Sequence, residues 1–144
     1  MKAAIEIKKL RKVYEDGVVA LRGINLSIPQ GSFYGLLGPN GAGKTTTIGI
    51  ITGLVNITDG SATIMDYDSV KDFRQARKLV GLSPQELNFD VFFNTEKLLE
   101  LQAGYYGLPN NEAKYRAALM LEQFGLTEKR KSRSRELSGG MKRR

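Results

Sequence analysis

Apolar and polar residues alternate with a period of two from Ile5 and Ile7 to Val13 and Tyr14, the pattern of a strand with one buried face. An Asp16-Gly17 turn leads into Val18 and Val19, and a second alternating run, Ile24, Leu26, Ile28, closes at Pro29-Gln30-Gly31. Together these runs predict an antiparallel β layer. Phe33 to Leu37 is continuously apolar, which predicts a buried strand of the kind found in parallel sheets covered on both faces. Lys44 to Thr52 follows as a helix ended by Gly53, although Thr45, Thr46, Thr47 and mid-helix Gly49 are poor helix formers. Such a conflict between local preference and overall role is expected where function dictates the residue type. A turn at Asp59-Gly60, a strand Ala62 to Met65, a short helix around Lys71 to Lys78 and a strand Leu79 to Ser83 ending at Pro84-Gln85 complete an α/β pattern.

The pattern then becomes helical. Thr95 is placed to cap a helix carrying Leu98, Leu101 and Tyr105 at helical spacing, with Gly107 and Pro109 as its stop. A second helix runs from about Glu112 to Phe124, with Ala117, Met120, Leu121 and Phe124 expected on one face and Gly125 at its end. The expected organisation is an α/β core over residues 1–89 with an antiparallel β layer, and a helical subdomain over residues 90–144.

Composition narrows the chemistry. No window reaches the roughly 18 consecutive apolar residues that cross a bilayer, and Met1-Lys2-Ala3-Ala4 leads directly into a strand-like segment, so a soluble, unexported chain is expected. The sequence has no Cys and no His, which removes disulfides, thiolate metal sites and the commonest general base. The net charge of +7 is concentrated at the ends: residues 1–13 carry five basic side chains and one acidic one, and residues 128–144 carry eight basic and two acidic. No aromatic residue interleaves the C-terminal basic run to stack on a base, so that run reads as a solvated or partner-facing segment and no nucleic acid is expected as a partner.

The stretch Gly38-Pro39-Asn40-Gly41-Ala42-Gly43-Lys44-Thr45-Thr46 matches the pattern GxxxxGK[ST] at Gly38, Gly43, Lys44 and Thr45, between a predicted strand and a predicted helix. Small residues let successive backbone N–H groups converge on phosphate oxygens, and a helix N-terminus adds unpaired donors and positive potential. Lys44 supplies a mobile cation for the terminal phosphates and Thr45 a hydroxyl suited to Mg²⁺. The loop is read as the site of a nucleoside triphosphate.

A phosphate loop alone does not separate a kinase from a GTPase or a motor ATPase. Well downstream, Leu137-Ser138-Gly139-Gly140-Met141 resembles the signature sequence of ATP-binding cassette (ABC) transporter ATPases, with a helical region between the two motifs as that family has it. The resemblance runs from the first strand to the last residue. It implies that Gln85 is the glutamine that contacts Mg²⁺ and the attacking water, and that Tyr14 stacks on adenine. It also implies that Gly38 to Thr46 hold ATP, and that Ser138, Gly139 and Gly140 of one chain cover the γ-phosphate held by Lys44 of another. The family's signature usually ends in Gln where this chain has Met141, and LSGGMKRR looks like the variant of exporters for drugs, polysaccharides and similar cargo.

The resemblance implies an ATP-binding subunit that couples ATP binding and hydrolysis to transport. Such a subunit would work with membrane-spanning subunits and a second ATP-binding subunit, on the cytoplasmic side and peripheral to the inner face of the membrane. The family's metal-binding Asp, catalytic Glu and switch His are expected after the signature, and this sequence contains no His at all. The expected fold is therefore an incomplete ABC ATPase domain, one that binds MgATP without hydrolysing it efficiently. Two alternatives stay open: a soluble ABC protein acting on nucleic acid or ribosomes, and a nucleotide-binding remnant without catalysis.

Overall fold

The computed structural model describes residues 2–84 and 90–144, which divide into two compact units, Met1–Ser83 and Pro84–Arg144. In the first unit, β1 (Ala3–Val13) pairs antiparallel with β2 (Val19–Pro29) and, on its other edge, with β3 (Asp59–Ile64). β3 in turn pairs with β4 (Tyr67–Asp68), giving the order β2-β1-β3-β4. The register sets Ile7 opposite Leu26 on one side and Ala62 on the other, so the alternation read along each strand adds up to one apolar face. The expected antiparallel layer is present.

Helix α1 (Lys44–Ile51) packs on that face: Ile50 joins Ile7, Leu10, Leu21 and Ala62 in a core whose members are at most 2% exposed, with Ile24, Leu26, Ile51, Val55 and Ile57 around it. Removing a Leu or Ile side chain from water contributes about 1.5–3 kcal/mol, and this cluster lies directly under the phosphate-loop helix. The poor helix formers of α1 have separate explanations. Thr47 is buried and donates its hydroxyl to the Gly43 carbonyl at 2.9 Å, which closes the first turn. Gly49 is set by packing: a Cβ there would stand 2.7 Å from Val55 Cγ2, and the Gly49 carbonyl accepts from the N–H groups of Leu54 and Val55.

Three expectations in this unit are corrected. Phe33 to Leu37 forms no strand, and Phe33 and Leu37 are fully exposed. Among the described residues no strand runs beside this segment and its backbone groups pair with nothing, so its apolar character has no layer to enter. Leu79 to Ser83 likewise is not a strand: Leu79 ends helix α2 (Phe73–Lys78), and the residues after it are irregular. Asp59-Gly60 is not a turn but the first part of β3, where Gly60 at φ 85° lies against a bulge in β1 at Lys9, itself at φ 47°. A Cβ on Gly60 would run into the carbonyl oxygens of Lys8 and Lys9.

In the second unit, helices α3 (Thr95–Tyr105) and α4 (Asn110–Gln123) pack against each other. The cap of α3 is Asn94, whose side-chain oxygen accepts from Lys97 N at 2.8 Å; Thr95 is the first helical residue and donates its hydroxyl to the Ser132 carbonyl. The expectation of Thr95 as cap is thus off by one, because the better side-chain acceptor precedes it. On α4 the buried face is Ala113, Ala117 and Leu121, a spacing of four, while Met120 and Phe124 stay about 40% exposed. Short 3₁₀ turns at Thr127–Lys129 and Ser134–Glu136 lead to α5 (Gly139–Arg143). No helix among the described residues is long and apolar enough to cross a membrane.

Candidate functional site

The phosphate loop leaves the exposed run at Gly38 and enters α1 through Gly43. Gly43 caps the helix at φ 84°, and a Cβ on it would meet the Ala20 carbonyl oxygen at 2.8 Å and Leu21 Cδ2 at 2.5 Å. Glycine is required twice over, by backbone conformation and by the strand packed against it. The loop folds back on its own lysine: Lys44 Nζ donates to the carbonyl oxygens of Gly38 and Pro39, each at 2.6 Å. The ammonium therefore stands across the mouth of the loop, and Pro39, Asn40, Gly41 and Ala42 lie exposed around it.

The donors at the start of α1 are free. The first intrahelical bond runs from Thr47 N to the Gly43 carbonyl, no acidic residue occupies the first turn, and no side chain caps it. The N–H groups of Lys44, Thr45 and Thr46 point out of the helix end unpaired, as the first turn of any helix leaves them. Together with the Lys44 ammonium they form a concentration of positive partial charge at one point. Thr45 is exposed and its hydroxyl bonds to nothing among the described residues, so it is available to a hard cation. This donor set suits a polyphosphate with its divalent ion.

Tyr14 lies at the same end of the unit. Its hydroxyl and Thr46 Oγ1 share a hydrogen bond of 3.2 Å, and Lys12 Nζ stands 4.9 Å from the centre of its ring. The structure thus brings Tyr14 and the loop together, in keeping with the family resemblance, and adds Lys12, to which the sequence alone assigns no role. Lys12 and Tyr14 are two residues apart at the end of β1, a spacing that allows a shared face but does not single this lysine out from the other basic residues nearby. A cavity of about 260 Å³ in this unit, lined in part by Gly53, Val55, Ser69 and Phe73, sits at the opposite end of α1 and involves none of these residues.

Ser138, Gly139 and Gly140 belong to the second unit. Ser138 caps α5, its Oγ accepting from Met141 N at 3.2 Å, and both glycines are exposed with open space where a Cβ would go. Gln85 lies outside the described residues.

Comparison with known proteins extends this picture. The family model described as ABC transporter matches residues 21–144. The linearmycin resistance ATP-binding protein LnrL of Bacillus subtilis (strain 168) is 40% identical over 140 residues, covering 97% of this chain and 45% of that protein. The Nod factor export ATP-binding protein I of Cupriavidus pinatubonensis (strain JMP 134 / LMG 1197) is 39% identical over 142 residues, 99% of this chain and 43% of that protein. Among solved structures, a dimeric ATP-binding cassette in a post-hydrolysis state, bound to ADP and Pi, superposes with a TM-score of 0.78 at 26% identity, over 96% of this chain and 65% of that one. The chain spans under half the length of the curated relatives it matches.

Proposed function

Since the chain belongs to the ABC transporter family, we propose that it is the nucleotide-holding part of a transporter's ATP-binding subunit, taking MgATP at Gly38 to Thr46. The observation that carries this reading is the Lys44 ammonium, held by two loop carbonyls in front of three unpaired N–H groups at the start of α1. A triphosphate entering the loop replaces the carbonyls as partner of Lys44 and fills the N–H donors. Thr45 then supplies a hydroxyl to Mg²⁺, which neutralises charge on the phosphates when bound. Tyr14 offers a ring face to the adenine.

The relatives named for linearmycin resistance and Nod factor export support an export role for the whole protein. In that role it works at the inner face of the membrane, held there by membrane-spanning subunits and paired with a second ATP-binding subunit. Ser138, Gly139 and Gly140 would close over the γ-phosphate held by that second subunit, and Gln85 would contact the metal ion and the attacking water. Hydrolysis needs, besides positioning and charge neutralisation, a group that orients the water. No acidic side chain lies in the first turn of α1, and among the described residues none is bonded to the loop. On this reading residues 1–144 by themselves hold ATP and turn it over slowly, an expectation that phosphate release tests.

Thermal melts with and without MgATP test the binding. At about 100 times Kd, the ligand adds roughly 2.7 kcal/mol to stability, and Lys44→Ala removes the shift. An unmutated chain whose melt ignores millimolar MgATP, while circular dichroism shows it folded, contradicts the reading. Phosphate release is expected to fall about 10²- to 10⁴-fold below that of a full-length relative, the typical value of a positioned general base. Equal turnover in the two, lost in both with the loop lysine, would place a working carboxylate within residues 1–144.

A further inference from the structure

Tyr14 is the base platform of the proposed nucleotide site, and a platform works only if its ring is already held at the right angle when the base arrives. Two contacts hold it. At its edge, the hydroxyl is bonded to Thr46 Oγ1 in the first turn of α1. On one face lies the Lys12 ammonium. Lys12 is half-buried and, among the described residues, forms no ion pair with a carboxylate, so its ammonium is left to the ring. Its cross-strand neighbour is Leu21, the residue packed against Gly43, which puts Lys12 on the loop side of the sheet. Tyr14 remains 38% exposed, so part of its surface is open to a ligand.

We propose that Lys12 and Thr46 are positioning residues that fix the Tyr14 ring for a purine base, Lys12 backing one face and Thr46 anchoring the hydroxyl, so that the base stacks on the face left open. The proposal rests on the nucleotide reading. A cation behind the ring opposes its rotation and the hydrogen bond fixes the far end of the side chain through the Thr46 hydroxyl, while the Thr46 N–H is left for phosphate. Their loss should weaken ligands that carry a base and spare those that do not.

The experiment measures Kd for MgATP and for magnesium tripolyphosphate, which has the phosphates and no base, by calorimetry on the whole chain. Tyr14→Ala should weaken MgATP roughly 5- to 150-fold, the range for a lost base–aromatic stack. Lys12→Met should weaken MgATP about two- to fivefold, the scale of an exposed cation–π contact, and Lys12→Arg should restore it; Tyr14→Phe should weaken MgATP about two- to tenfold, the scale of one net hydrogen bond. Tripolyphosphate should bind all four variants about as it binds the unmutated chain. If Tyr14→Ala weakens MgATP while Lys12→Met and Tyr14→Phe do not, the ring needs no positioning and the proposal is wrong. If Lys12→Met weakens tripolyphosphate as much as MgATP, Lys12 acts as a charge toward phosphate and the proposal is again wrong. An unchanged MgATP affinity in Tyr14→Ala removes the base platform itself, and an unmutated chain that binds neither ligand removes the nucleotide reading and this proposal with it.

Discussion

Phe33 to Leu37 and Gly38 to Thr46 are neighbours in the chain with opposite fates. The second is held at several points: Lys44 closes on the carbonyls of Gly38 and Pro39, Gly43 sits against Ala20 and Leu21, Thr46 meets Tyr14, and Thr47 closes the first turn. The first is apolar throughout, yet its backbone groups pair with nothing among the described residues and its side chains at Phe33 and Leu37 lie in solvent. The difference is one of range. A phosphate loop is specified by glycines and a lysine that act within a few residues of each other, and by one nearby hairpin. A strand specified by hydrophobicity alone needs a neighbour to take its N–H and C=O groups and a layer to cover it.

The largest test of this contrast is Leu21→Ala. Leu21 is 2% exposed and joins the core under α1 to the wall behind Gly43. Its truncation should cost about 2–5 kcal/mol by urea denaturation and also weaken MgATP. A loss of stability with nucleotide binding intact would mean that the loop shapes itself without its hairpin.

Gly43→Ala comes next. The positive φ alone costs on the order of 1–3 kcal/mol, and the approach of the Ala20 carbonyl forces the loop to move, so MgATP binding should be lost. Gly41→Ala is the matched control: Gly41 has φ 82° but open space at the Cβ position. It should show the strain and keep measurable binding. Equal behaviour of the two variants would show that backbone conformation, and not the close strand, makes glycine necessary at Gly43.

The legible parts of the sequence divide by range in the same way. Alternation in β1 and β2, the GxxxxGK[ST] loop and the ends of α1, α3 and α4 come from signals a few residues long, and they appear within a residue or two of expectation. Phe33 to Leu37 and Leu79 to Ser83 mislead because an apolar run states that a segment can be buried, not that a partner is present. Gly60 misleads because Asp-Gly signals a turn as readily as it fills the position opposite a bulge. Gly49 looks functional from its place in a phosphate-loop helix, whereas Val55 explains it by packing. Lys12 is invisible because nothing in a basic strand end distinguishes a lysine on an aromatic ring from one in solvent.

The smallest expected effect is at the apolar run, and its smallness is the point. Exposure there still alternates: Phe33 and Leu37 are 104% and 92% exposed, Tyr34 and Leu36 only 47% and 38%. Phe33→Ser and Leu37→Ser remove side chains that touch solvent, so stability should change by no more than about 0.5 kcal/mol, as at other surface sites. Tyr34→Ser and Leu36→Ser, on the more covered side, should cost more. An apolar run with unpaired backbone is also a template for another strand, so the first pair should lower light scattering at high protein concentration more than it alters the melt. A loss above about 2 kcal/mol from Phe33→Ser is the size expected of a buried aromatic and not an exposed one. That result would mean the run is packed in solution, and the contrast with the loop beside it would then be one of degree.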